Sequence, residues 1–120
     1  MLGLLLVRLD DERHARVRMF PQMHHRNAGD VIHGGTILGL VDVAMFAGSG
    51  LLIEDGIGRG VTVEVSAQFL GPGDPERPLD AVVEVTKETG RMVFTRGLIV
   101  QEGDTVASFS GILRKVTPKR

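Results

Sequence analysis

The chain has 120 residues, with 14 Lys and Arg against 15 Asp and Glu, 42% hydrophobic residues and no cysteine. A formal charge of -1 gives no basic field for a polyanion and argues against nucleic-acid binding, while the missing cysteines exclude disulfides, thiolate zinc sites and a Cys nucleophile. The length predicts one domain over residues 1–120, with a thin core that would gain from association with a second copy.

In chain order, the N-terminal "MLGLLLVRLDDERHAR" holds an apolar run of about five residues that lacks a basic leader and meets acids at once, so an export signal is not expected and the cytoplasm is. Residues 15–20 read as a first strand. The loop "HRNAGDVIHGG" then gathers His25, Asn27, Gly29, Asp30 and His33, and an apolar helix begins at Gly34 and Gly35. About 19 mostly apolar residues, 35–53, would be long enough to cross a bilayer. Asp42 would then sit near mid-membrane without Trp or Tyr anchors, and the rest of the chain alternates like water-soluble sheet, so no membrane partner is expected.

In "VTVEVSAQF", Val61, Val63, Val65, Ala67 and Phe69 fall on one face, and Thr62, Glu64, Ser66 and Gln68 on the other. "LDAVVEVT" repeats the alternation with Leu79, Ala81, Val83 and Val85. "RMVFTRGLIV" is apolar on both faces, which predicts a strand covered on two sides, and "TVASFSGILRKV" makes a last strand. The turns "GPGDPERP", "ETG" and "EGD" separate these strands, and the last two are too short for a crossover, so the final three strands form an antiparallel meander. A helix apolar nearly all round needs cover on most sides. The expected class is α+β, an antiparallel sheet of five strands, or six, wrapped around one long helix.

Within that helix Asp42 is the anomaly. An ionised carboxylate without a partner costs several kcal/mol in apolar surroundings. Pairing with an arginine or exposure on a helix stripe would explain it structurally; a catalytic carboxylate in a dry cleft would explain it functionally. Gly34 and Gly35 are poor helix formers, but they bare backbone N–H groups at the positive end of the helix dipole, a natural oxyanion site. Two turns of helix separate them from Asp42, roughly 10 to 12 Å, too far for one small group to bridge. Either the helix start bends inward or the carboxylate comes from another copy.

His24, His25, His33, Asp30 and Asp42 offer zinc-ligand types but no i, i+4 histidine pair, so no metal is expected. His24 and His25 read as solvent-facing loop residues and His33 as a local hydrogen-bonder or substrate contact. The serines carry no nucleophile-elbow context.

The stretch "NAGDVIHGGTILGLVD", with "GVTVEVSAQFLGPG", "ETGR" and "VASFSGILRKV", resembles the hotdog-fold acyl-CoA thioesterases, and among them the phenylacetate-pathway (PaaI-like) branch. The likeness runs from about residue 12 to 116 and is densest in Asn-x-Gly-x-x-x-His-Gly-Gly with an acid nine residues after the histidine. It implies that Asp42 is the catalytic base or nucleophile, that the Gly34 N–H polarises the thioester carbonyl, that Asn27 orients water or thioester, and that His33 is a supporting hydrogen-bonder. It implies substrate contacts from Gly35, Phe46, Ser49, Thr62 and Arg91, no cofactor beyond the coenzyme A of the substrate, and a homodimer whose sheets join edge to edge, pairing again into a homotetramer. The site would lie between subunits, which would resolve the distance between Gly34 and Asp42.

Two departures stand out. Relatives often have Ser or Thr four residues beyond the acid, where this chain has Phe46, so Ser49 would have to help hold the water. Relatives also frequently carry a basic residue just before the Pro that follows the "VTVEVSAQF" strand, where this chain has Gly71, which leaves Arg91, Arg59 and Arg77 as candidates for the coenzyme A phosphates. Two rival functions fit the same fold. An acyl-thioester hydratase or dehydratase would pair His33 with Asp42, and a non-catalytic acyl-CoA binder would keep the Gly34 backbone site without needing Asp42.

Overall fold

The computed structural model describes residues 2–54, 56–58 and 60–116. In chain order its elements are β1 (Leu5–Leu9), β2 (His14–Met19), a 3-10 turn (Met23–His25), α1 (Gly34–Leu52), β3 (Val61–Phe69), β4 (Leu79–Glu88), β5 (Met92–Gln101) and β6 (Asp104–Arg114). Side by side the strands run β1-β2-β4-β5-β6-β3, with every neighbouring pair antiparallel. The β4-β5-β6 meander is as the short turns predict. The N-terminal apolar run becomes the sixth strand: its residues pair with β2 from Leu5 opposite Met19 to Leu9 opposite Ala15.

The core forms where two periodicities meet. On α1, Ile37, Leu40, Val41, Ala44, Met45 and Gly48 make a buried stripe at helical spacing. On the sheet, Ala15, Val17 and Met19 of β2 and Leu79, Ala81 and Val83 of β4 turn inward at period 2 and are fully buried. Removing each of the larger of these side chains from water stabilises the fold by roughly 1.5–3 kcal/mol. Helix and sheet touch closely at Gly48, where a Cβ would fall 2.9 Å from the Val83 Cβ. Only a residue without a side chain fits there.

Two expectations about strands need correction. β5 is not covered on two sides: Val93, Thr95 and Ile99 are buried against the helix side, whereas Leu98 on the outer face is 43% exposed. β3 does not alternate cleanly either. A bulge between Thr62 and Glu64 slips the register against β6, so that Thr62 pairs with Leu113 and Glu64 with Ile112. The extra residue turns the Thr62 side chain to the helix side, together with the half-buried Val65 and Ala67, and leaves Val61 and Val63 exposed.

The sheet therefore ends in two edges, β1 and β3. Among the described residues α1 is covered on one side, and Leu38 and Val43 on the other are exposed. Its 19 residues and mean hydropathy of 1.7 satisfy the length and composition of a membrane span, yet a stripe of it forms the core against the sheet.

Candidate active site at the helix start and on β3

The segment before α1 folds as a small antiparallel ribbon. The His33 N–H donates to the His25 carbonyl at 2.8 Å, Arg26 bridges Ile32, and the Asn27 N–H donates to the Val31 carbonyl at 2.8 Å. At its tip the Asn27 Oδ1 accepts the N–H groups of Gly29 (2.9 Å) and Val31 (3.2 Å), an Asx-type turn. Because Oδ1 is committed to two donors, the Asn27 Nδ2 amide is left as the group it can offer outward. Asp30 closes the turn at φ 58°, a left-handed conformation that Asp tolerates. The ribbon is anchored to the 70–78 loop by the Ile32 N–H to the Gly73 carbonyl at 3.0 Å and by Arg26, which pairs with Asp30 and Glu76.

His33 is the N-cap residue of α1. Its carbonyl accepts the N–H groups of Thr36 (3.0 Å) and Ile37 (3.1 Å), which starts the helix, while its imidazole is exposed and does not cap it. Gly34 and Gly35 follow, both exposed, and among the described residues their N–H groups have no backbone acceptor. The ring of Phe69, itself 52% exposed, lies over Gly34, where a Cβ would meet its Cζ at 3.5 Å.

Asp42 is half-buried, and its Oδ1 accepts a hydrogen bond from the Thr62 hydroxyl at 2.7 Å. No arginine holds it, so the structural explanation by ion pairing falls away for the described residues. Phe46, one turn on, packs half-buried against Gly60, where a Cβ would fall 2.8 Å from its ring. Ser49 departs from the expected site. It is 0% exposed, and among the described residues its buried Oγ has no hydrogen-bond partner. His25 departs too. It is 3% exposed rather than solvent-facing, while His24 beside it is exposed.

Past the bulge, Val61, Gly90, Arg91, Arg114, Lys115 and Val116 line a cleft of about 380 Å³. Lys115 is tied to Glu88, but among the described residues Arg91 and Arg114 have no carboxylate partner. Arg77 is less available, being bound to Asp104, Asp74 and the Gln101 carbonyl. Arg59 lies outside the described residues.

Within one chain the structure thus sets His33, Gly34 and Gly35 at one end of β3, with Asn27 two rungs along the ribbon that leads into them, and Asp42, Thr62 and the Arg91 cleft at the other end. The partnership of Thr62 with Asp42 was invisible to the period-2 pattern, which placed Thr62 on the opposite face, and nothing in that pattern marks a bulge. Arg114 and Lys115 carry no signal in the sequence beyond charge at the end of a strand.

The architecture, six antiparallel strands around one long helix, is the hotdog fold. The thioesterase superfamily model matches residues 29–108, and the chain belongs to that superfamily. Among solved structures, the TT0310 protein from Thermus thermophilus is 25% identical, over 96% of this chain and 93% of that one, with a TM-score of 0.80. The Escherichia coli PaaI protein from the phenylacetic acid degradation operon is 24% identical, over 98% of this chain and 83% of that one, with a TM-score of 0.82. A hypothetical thioesterase from Streptococcus pneumoniae, solved with coenzyme A, is 18% identical over 98% and 93%, with a TM-score of 0.80. The curated proteins offer no match.

Proposed function

We propose that two copies of this chain pair along their β3 edges and hydrolyse acyl-CoA thioesters at two shared sites. The observation that carries this reading is that β3 holds half a site at each end: Thr62 touches Asp42, and Phe69 lies on Gly34. Among the described residues β3 is bonded only to β6, which leaves its other side to pair. An antiparallel two-fold pairing centred on Ser66 keeps helix-side residues opposite helix-side residues and, with the extra residue of the bulge counted, sets Thr62 opposite the partner's Phe69. Asp42 then faces the partner's Gly34 on the helix side of the joined sheet. The two helical turns that separate these groups within a chain no longer matter. Val61, Val63, Leu38 and Val43, all exposed in the single chain, border the seam, and their burial stabilises it.

The chemistry follows from that placement. Thr62 holds Oδ1 of Asp42, which leaves Oδ2 to take a proton from water as the water oxygen bonds to the thioester carbonyl carbon. The oxyanion that forms is met by the Gly34 N–H at the positive end of the helix and by the Asn27 Nδ2 donor. When the C–S bond breaks, the thiolate leaves and recovers the proton from Asp42. Direct attack by Asp42, giving an anhydride that water later opens, uses the same groups. His33 and Gly35 border the acyl carbonyl, Phe46 supplies an apolar wall beside Asp42, and Thr62 takes over the role expected of Ser49.

Arg91 and Arg114, with Lys115, supply positive charge for the coenzyme A phosphates in the cleft beside Val61, one residue from Thr62. Two such dimers meet through their outer sheet faces, where Val82 and Leu98 floor a cavity of about 400 Å³ rimmed by Glu84, Arg96 and His14. The enzyme works in the cytoplasm on an acyl-CoA pool and needs no further cofactor.

The test is free-thiol release from a panel of acyl-CoAs. Wild-type protein is expected to release thiol, and Asp42→Asn to lose about 1,000-fold or more in kcat while keeping its circular dichroism spectrum and assembly. A folded Asp42→Asn protein with near-normal turnover would overturn the assignment. Consumption of an unsaturated acyl-CoA without thiol release would instead make the protein a hydratase.

A further inference from the structure

We propose that His25 is a positioning residue for the thioester site, its buried ring setting the backbone carbonyl that holds His33 and therefore the aim of the Gly34 N–H. This rests on the reading of the site given above. His25 is 3% exposed in a segment whose neighbours Gln22, Met23 and His24 are exposed. Burying an imidazole is unfavourable unless its polar atoms are bonded, so its place needs a reason.

The Gln22 N–H donates to the His25 Nδ1 at 2.9 Å, and the His25 N–H donates back to the Gln22 carbonyl at 2.9 Å. A nitrogen that accepts from a backbone N–H carries no proton, which places the ring hydrogen on Nε2. Side chain and main chain of one residue are thus locked to the same neighbour. The remaining main-chain group of His25, its carbonyl, accepts the His33 N–H at 2.8 Å.

That bond is the base of the ribbon whose next rungs are Arg26 with Ile32 and Asn27 with Val31. One end of the ribbon leads to the Asn27 amide and the other runs straight into Gly34. Both donors proposed for the oxyanion therefore hang from the rung that His25 fixes. Loss of the ring acceptor frees the Gln22 N–H, lets residue 25 rotate and turns its carbonyl away from His33. Displacements of about 1 Å at reacting groups reduce rates on the order of 100-fold.

The experiment compares His25→Asn with His25→Leu in the full chain. Asn places an acceptor oxygen where Nδ1 stands, whereas Leu fills the space without one. His25→Leu is expected to lose about 10- to 100-fold in kcat with KM changed by less than about threefold, and His25→Asn to stay within about threefold of wild type. Two NMR readouts need no turnover. The wild-type His25 ring is expected to show the Nε2–H tautomer, and the amide signals of Gly34 and Gly35 to shift in His25→Leu but not in His25→Asn. Equal kcat for His25→Leu and wild type would overturn the proposal, as would a ring protonated at Nδ1 or unmoved Gly34 and Gly35 signals. If the wild type hydrolyses no acyl-CoA, the function reading fails, and the tautomer and amide shifts alone still decide the role of His25. Should His25→Leu fail to fold, the wild-type tautomer and His25→Asn kcat and amides decide.

Discussion

Ser49 and Thr62 are both hydroxyl residues near the stripe of Asp42, and the fold gives them opposite fates. Ser49 is two turns along α1, on the same side by helical arithmetic, but it is fully buried and among the described residues its Oγ has no partner. Thr62 is remote in sequence, but a bulge delivers its hydroxyl to within 2.7 Å of the carboxylate. A buried hydroxyl with no hydrogen bond is a liability, so Ser49→Ala is expected to stabilise the protein by about 1 kcal/mol. For a domain of this size that raises the melting temperature by about 4 °C, measurable by calorimetry. Thiol release by the same variant is expected to match wild type; a large loss would return Ser49 to the site.

At the level of elements, the strands with clean alternation were legible and the irregular one was not. Leu79, Ala81 and Val83 turn inward as their spacing demands, and the glycine-bearing turns set the meander. In β3 the pattern ran true only from Val65 to Phe69, because one extra residue reverses every side chain before it. The N-terminal run was too short and too quickly charged to announce itself as β1; its role comes from pairing with β2. The outer face of β1, β2 and β4 carries a ladder in which Asp10 bonds Arg8 and Arg16, and the buried Asp80 bonds Arg16 and Arg18. Burial alone pushes the Asp80 carboxyl up, but hydrogen bonds from Arg18 and Arg16 outweigh it and hold the group below its ordinary value of 3.8. A carboxyl depressed in the folded state contributes stability above its unfolded pKa, and that contribution is lost as pH falls through the folded value. Asp80→Asn is therefore expected to cost about 2 kcal/mol near neutral pH, with the deficit against wild type shrinking below about pH 4. Urea midpoints of both proteins across that range check this.

For the whole molecule, the site was legible in its parts and not in its assembly. The spacing of Asn27, His33, Gly34 and Asp42 singles these residues out, but Gly34 and Asp42 face different ends of one strand, and on the dimer reading a second chain brings them together. Subunit mixing tests this arrangement. Asp42→Asn and Asn27→Ala are each expected to be nearly inactive as homodimers. After co-refolding, each heterodimer regains one intact site, so the random mixture is expected to recover about a quarter of wild-type thiol release. Recovery of nothing, with exchange verified by mass, would place the whole site within a single chain.

The greasy character of α1 gains a meaning from its two sides. One flank rests on its own sheet, and on the dimer reading the other, with Leu38 and Val43, borders a neighbour's surface. A hydropathy profile that mimics a bilayer crossing is then the imprint of companionship: the helix is oily because it has two protein hosts, not because it has a lipid one.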